Sequence, residues 1–299
     1  MRNTLSKMDS HSKATLQILI TAILWGTTFV VVRIGVSEIG PLSMAGIRFF
    51  TAGLLLLPFL IMKRISTEEI KSNILPLALV GILSYAVGNG SLNYALQFLP
   101  ATLVSFLMSF ITPIILIFSI IWLKEFPTPV QIAGLVFVFF GVILYFYPQQ
   151  IPFRVKGFGI LMLGLLGFAL QTTLGRFLAR GKNIHTITLT TIPLIFGGGI
   201  LLIVSFFVEG FPVISQRNFL ILGWLIFFNT IIGQLLYSSA IAEITAIQVN
   251  LVLNLSPFFT AIFAWFLLGE QLGITQVVAM GVVFIGTYLV QKKSTNQSN

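Results

Sequence analysis

Cysteine is absent from the 299 residues. That excludes disulfides, thiolate nucleophiles and thiolate-bound metal. Charge is scarce: Asp, Glu, Lys and Arg make up 8% of the chain, against about 25% in a soluble domain. So few charges cannot cover a water-facing surface of this size, so the solvent of most of the chain is lipid. Histidine occurs only as His11 and His185, both near the ends of apolar runs. The eight acidic residues, Asp9, Glu38, Glu68, Glu69, Glu125, Glu209, Glu243 and Glu270, also fall in loops or at the ends of such runs. A deep carboxylate or histidine relay, as used by many proton-coupled carriers, therefore has no obvious residues. Facilitated diffusion, exchange and coupling through another group stay open. A membrane-embedded enzyme needs convergent acids, histidines, cysteines or a metal cluster, and none lies at depth. No catalytic residue, cofactor or metal is expected. Neither GxxxxGK[ST] nor GxGxxG occurs, which argues against direct nucleotide drive.

What the chain has in abundance is apolar sequence, 57% of its residues. A spanning helix needs roughly 20 mostly apolar residues. Cutting at charges and turn residues predicts ten spans, at 14–36, 42–62, 74–97, 100–122, 128–147, 157–178, 186–208, 218–241, 245–268 and 273–291. The first run exceeds a signal-peptide core of roughly 7–15 residues and no small-residue cleavage site follows it, so it reads as a span. The predicted fold class is an all-α integral membrane protein.

The net charge of +9 reads as basic loops that orient helices, with no nucleic-acid partner expected. With the N-terminus inside, twelve basic residues fall on the cytoplasmic side: Arg2, Lys7, Lys13, Lys63, Arg64, Lys71, Lys124, Arg176, Arg180, Lys182, Lys292 and Lys293. Arg154, Lys156 and Arg217 fall outside, and Arg33 and Arg48 lie within spans. This excess predicts both termini in the cytoplasm of a plasma (inner) membrane protein.

The chain also repeats itself. Residues 123–141 and 268–286 share Leu, Glu, Gln, Val, Phe and Gly at one offset, 145 (270 − 125), placing Glu125 on Glu270 and Gln131 on Gln276. Pro113 and Pro257 pair at an offset of 144 (257 − 113). A period near half the chain signals duplication. Ten spans in two copies give five per copy. An odd number inverts the second copy relative to the first, an arrangement common in secondary transporters. The expected units are 14–147 and 157–291, with cytoplasmic tails 1–13 and 292–299. Glu125 is expected at the inner face and Glu270 at the outer.

Polar residues inside the spans recur at helical spacing: Gln17, Thr21, Trp25 and Thr28; Tyr85, Asn89 and Asn93; Ser105, Ser109 and Thr112; Thr230, Gln234 and Ser238; Asn250 and Asn254. Gln171 stands among glycines in the sixth span. Buried polar groups in lipid face the bundle interior or a cavity. They either line a substrate path or join helices; Ser and Thr also bond their own backbone. Trp25, deep in its span, either stacks on a substrate or fills core. Arg48 sits about seven residues inside the second span. It either binds a carboxylate in bidentate fashion, or snorkels outward or caps backbone carbonyls beside Glu38. Its counterpart in the second copy is near Thr191, so any role for it breaks the repeat symmetry. The candidate substrate-binding set is Trp25, Thr28, Arg48, Tyr85, Asn89, Ser105, Gln171, Gln234 and Asn250. Pro113 and Pro257 are expected mid-helix, as hinges. Gly134 and Gly141 are expected to allow close helix packing.

WGTTF at 25–29, IRFFTAG at 47–53, NYALQFLPA at 93–101, Pro113 and the paired LxE-x5-Q segments resemble the drug/metabolite transporter superfamily, in its ten-helix EamA type. The likeness runs over about residues 14–291. It implies ten helices as two inverted repeats, a central cavity, and transport of small metabolites, with export of amino acids or related compounds as the leading case. In the second copy Phe168–Ala169 stands near the place of the tryptophan–glycine pair. The expected function is secondary transport by alternating access, with anionic metabolites, drugs or a passive channel as the alternative. The expected partners are a small-molecule substrate and the bilayer. The sequence sets no oligomeric state, and a monomer is the working expectation.

Overall fold

The computed structural model describes residues 2–123, 128–147, 154–181, 184–243 and 252–291. Ten helices run through them: α1 (Arg2–Gly35), α2 (Pro41–Met62), α3 (Thr67–Ala95), α4 (101–123), α5 (Pro129–Phe146), α6 (Val155–Gly181), α7 (Thr186–Glu209), α8 (216–243), α9 (Ser256–Leu268) and α10 (Ile274–Gln291). Seven are long and apolar enough to cross a bilayer, and three shorter apolar helices complete the ten. The first helix starts earlier than expected. From Arg2 onward the predicted tail 1–13 is the beginning of α1. The second tail, 292–299, and Glu125 lie outside the described residues.

Local chemistry sets several helix ends. Ser66 accepts from Glu68 N at the start of α3, at 3.2 Å. Thr128 and Gln131 form a reciprocal capping box at the start of α5; this is the glutamine of the repeated segment. Its copy, Gln276, donates instead to Tyr145 O at the far end of α5, at 3.4 Å. Gly269, at φ 67°, ends α9 in the left-handed conformation that glycine adopts without strain.

Helix packing follows the duplication. α2 lies on α7, α4 on α9, and α5 on α10. α1 lies against α8 and α9, while α6 lies against α3 and α4; α3 touches α7, and α8 touches α2. Exchanging each helix for the one five places along reproduces this set of contacts. Equivalent helices run antiparallel. A Cβ on Gly46 would sit 2.8 Å from Leu202 N, and one on Gly53 would sit 2.7 Å from Ile195 Cγ1. Seven residues forward on α2 (53 − 46) thus match seven back on α7 (202 − 195). In α5 and α10, a Cβ on Gly141 would meet Val283 Cγ2 at 2.6 Å, and one on Gly286 would meet Gly134 O at 2.8 Å. Gly134 and Gly141 therefore permit close packing, and the molecule is two inverted five-helix repeats.

The scarce acidic residues bind the repeats together. Glu209, at the end of α7, accepts from Leu42 N (3.0 Å), Ser43 N (2.9 Å) and Ser43 Oγ (2.8 Å) at the start of α2. Glu270, just after α9, accepts from Ala101 N (2.8 Å), Thr102 N (3.1 Å) and Thr102 Oγ1 (2.6 Å) at the start of α4. At the other end of the bundle, Glu69 of α3 accepts from His185 N (3.1 Å) and Thr188 Oγ1 (2.9 Å) at the start of α7. Each carboxylate satisfies N–H groups that a helix leaves unpaired and complements its dipole. In all three cases the carboxylate comes from one repeat and the capped helix from the other.

Glu209→Ala and Glu270→Ala should each cost about 1–2 kcal/mol. Thermal unfolding of the detergent-purified protein should show a lowered Tm for each and a larger drop for the double variant. A double variant as stable as the parent would contradict the role assigned to these caps.

Candidate functional site

Two of the long helices change winding halfway. Residues Ile82–Asn89 of α3 and Leu225–Ile232 of α8 form π-helix, eight residues each. They fall at one offset, 143 (225 − 82 and 232 − 89), in the third helix of each repeat, and each is followed by a glycine, Gly90 or Gly233. Side chains grip the widened turns: Asn89 Nδ2 donates to Ser84 O (2.9 Å) and Thr230 Oγ1 to Leu225 O (2.9 Å), both five residues back. π-Turns inside α-helices occur mostly as single turns and frequently at functional sites. Sequence reasoning missed both, because composition and hydropathy do not change across them; the paired glycines are the one visible mark.

Arg48 lies between these segments. It is 4% exposed. Its Nε donates to Thr230 Oγ1 at 2.7 Å, and its guanidinium carbon sits 4.8 Å from the Phe49 ring centroid. The Phe49 ring in turn packs on Tyr85, centroids 4.8 Å apart. Arg48 Nη1 is buried without a hydrogen-bond partner among the described residues. Arg48 neither snorkels outward nor caps carbonyls beside Glu38 among the described residues: it is buried and bonded to Thr230, and Glu38 itself pairs with Arg217 at 2.7 Å. Arg33 Nη1, at the end of α1, donates to Leu96 O in the α3–α4 connection.

The polar stripe of α1 meets the second π segment. Trp25 Nε1 donates to Asn229 O at 3.1 Å, and its ring lies 5.5 Å from that of Tyr237. The buried Asn229 amide donates to Leu24 O, to Thr28 Oγ1 (2.7 Å) and to Thr27 Oγ1 (3.0 Å). Gln17 Nε2 reaches Ser239 Oγ at 3.4 Å. Trp25 and Thr28 thus join α1 to α8. Asn229, absent from the sequence-based set, is the residue that organises this contact. No polar stripe pointed to it, because the widened turn shifts helical spacing.

The remaining candidates separate. Ser105 is buried and bonds its own helix, donating to Thr102 O at 2.9 Å. Gln171 is half-buried on α6. Asn93 is fully buried, with neither amide atom hydrogen-bonded among the described residues. Gln234 lines an open cleft of about 410 Å³ between α2, α7 and α8, with Leu56, Phe59, Lys63, His185, Thr190 and Ile231 among its other walls. At its polar end His185 Nδ1 lies 2.8 Å from Glu69 Oε2. Asn250 lies outside the described residues.

Pro113 lies inside α4 as expected, but Pro257 does not lie mid-helix. Pro113 is the third residue of the segment Ile111–Leu123, which follows a 3₁₀ turn at Met108–Phe110. Pro257 sits in the first turn of Ser256–Leu268, after a turn at 254–255. In a first turn the missing N–H sacrifices no helical bond, so Pro257 marks where its span restarts, while Pro113 follows the 3₁₀ turn within α4.

An all-helical bundle of two inverted repeats, with interrupted helices around a polar centre, defines a class of membrane transporters. The EamA-like transporter family matches residues 12–147 and 155–291, and the chain belongs to that family. It is 27% identical over 272 residues to the uncharacterized inner membrane transporter YedA of Escherichia coli K12, covering 90% of this chain and 87% of the relative. It is 25% identical over 288 residues to the uncharacterized transporter YoaV of Bacillus subtilis 168, covering 93% and 96%. A solved crystal structure shares the fold at a TM-score of 0.67 and 14% identity, covering 93% of this chain and 96% of that one.

Asn229→Ala removes the amide that ties α1 to α8 and should cost about 1–2 kcal/mol. Thr28→Val, which leaves Thr27 and Leu24 O as acceptors, should cost less. Thermal unfolding of the two variants side by side measures the order.

Proposed function

We propose that this EamA-family transporter is a secondary carrier that moves a small metabolite by alternating access, with amino acids or related compounds, exported from the cell, as the leading substrate class. The observation that carries the reading is the pair of equivalent π segments in antiparallel repeats, meeting at Arg48 and Thr230. Rocking of one repeat against the other would open that centre to each side in turn. The distribution of basic residues supports cytoplasmic termini in a plasma (inner) membrane protein, with Glu209 and Glu270 at the outer face and Glu69 and His185 at the inner. The units proposed to rock are 14–147 and 157–291. Arg48 suits a carboxylate, and the neighbouring Phe49 and Tyr85 rings suit apolar substrate surface. No enzymatic step is proposed.

Proteoliposomes containing the purified protein should show saturable counterflow of a substrate found by a thermal-shift screen of amino acids, organic acids, nucleosides and sugars. Single-channel currents in planar bilayers would instead establish a pore.

With the irregular turns before them acting as hinges, Pro113→Ala and Pro257→Ala should slow counterflow severalfold while leaving substrate binding in place. Normal rates in both variants would remove that role.

A further inference from the structure

Among the described residues, no acidic group balances the charge of Arg48. Its side chain is 4% exposed, and among the described residues Nε alone has a hydrogen-bond partner, the uncharged hydroxyl of Thr230. Nη1 is buried and unpartnered among the described residues, and the adjacent surface is the Phe49 ring. The acids that could compensate are engaged elsewhere: Glu38 with Arg217, Glu69 with His185, Glu209 on the start of α2 and Glu270 on the start of α4. The sequence puts every other acid in a loop or at a span end. An unpaired guanidinium in a lipid-surrounded core is expensive, and the usual resolution is a partner of opposite charge.

A cleft lies along the same helices. The cleft of about 410 Å³ has Lys63 and His185 at one end, and its wall includes Ile231, the residue after Thr230. Leu56, also in the wall, lies eight residues along α2 from Arg48 (56 − 48), about two turns. An anion entering from that end meets Lys63, beside the His185–Glu69 pair, and passes along apolar walls toward a second positive charge. Nη1 is sealed in this conformation, so contact with it requires the repeats to move. The second copy has no arginine at the equivalent position, near Thr191, so the site takes one anionic group.

We propose that Arg48 binds a single anionic group, a carboxylate or phosphate, of the transported molecule, and that the cleft mouthed by Lys63 and His185 is its entrance. This rests on the carrier reading for the word transported, but not for the binding. The test is thermal shift and calorimetric titration of the purified full-length protein with lactate, N-acetyl-L-leucine, L-leucine and inorganic phosphate. Lactamide and N-acetyl-L-leucinamide serve as uncharged matches. At least one anion or carboxylate should stabilise the protein where its amide does not. Arg48→Gln should weaken that binding about 30-fold or more. Should Arg48→Gln fail to fold, Arg48→Lys keeps the charge and loses the planar fork. It should bind the same anion more weakly and still reject the amide. Equal response to acid and amide, no response to any of the four ligands, or undiminished affinity in both variants overturns the proposal. Counterflow separates the two readings. Flux of a neutral or cationic solute that Arg48→Lys leaves unchanged sinks the anion site and keeps the carrier. Anion binding lost in the variants, with no flux of any solute, keeps the site and sinks the carrier.

Discussion

Every helix that ends in or near a bilayer leaves N–H groups without partners, and at three helix starts in this protein carboxylates from the opposite repeat supply the acceptors. Glu209 holds the start of α2, Glu270 the start of α4 and Glu69 the start of α7. Lipid cannot solvate these groups, so the bonds must come from within the protein. A chain with only eight acidic residues commits at least three of them to this task. The same three contacts join the repeats at both ends of the bundle. Between those ends the halves meet through close-packed glycines, as where Gly198 of α7 lies so near α2 that a Cβ would sit 2.3 Å from Phe50 N. The carboxylate caps thus tie the repeats at their rims, and between the rims they are joined by close glycine contacts and by the bonds of Arg48 and Asn229.

That division of labour leaves the centre free for chemistry of a different kind. Arg48, Thr230, Asn229 and Tyr85 lie in or against the two π segments, where backbone carbonyls are bonded five residues back. The α1 contact through Trp25, Thr28 and Asn229 fastens the second segment to one neighbour. Arg48 fastens it to another. In the first segment, Tyr85 packs on Phe49 beside the same arginine. The symmetry of the backbone is therefore kept while the side chains on it differ between copies, which suits a machine whose two halves move alike but hold an asymmetric molecule.

Much of this architecture was legible in the sequence. The ten apolar runs correspond to the ten helices, and the paired LxE-x5-Q segments disclosed the duplication, because both signals are local. Arg48 was legible as a buried cation, and Thr230 as part of a polar stripe, but not their bond, which spans 182 residues (230 − 48). The carboxylate caps were hidden for the same reason: Glu209 and Glu270 read as loop charges until the helix starts they serve are placed beside them. Ser105 shows the opposite limit. Its spacing matched a lining residue, yet its hydroxyl returns to Thr102 O, a choice that spacing alone does not decide. Pro257 was expected to interrupt a helix and instead begins one, because the turn before it lies at Asn254 and Leu255, residues with no strong breaking tendency of their own.

The π segments act on everything downstream of them. Each residue advances an α-helix by about 100°, so a helix that accommodates an extra residue per bond ring turns its far end out of phase with its near end. In α3 that offsets the face carrying Asn93 from the face carrying Asn73, and in α8 it offsets Gln234 from Asn218. The near half of each helix can then keep its apolar side to its neighbours while the far half shows a polar side to the interior. A one-residue deletion inside either segment would be read by the bundle as a rotation of the far half rather than as a shortening. The two copies have matching π segments of eight residues each, so the phase change in one repeat is repeated in the other across the axis that relates them.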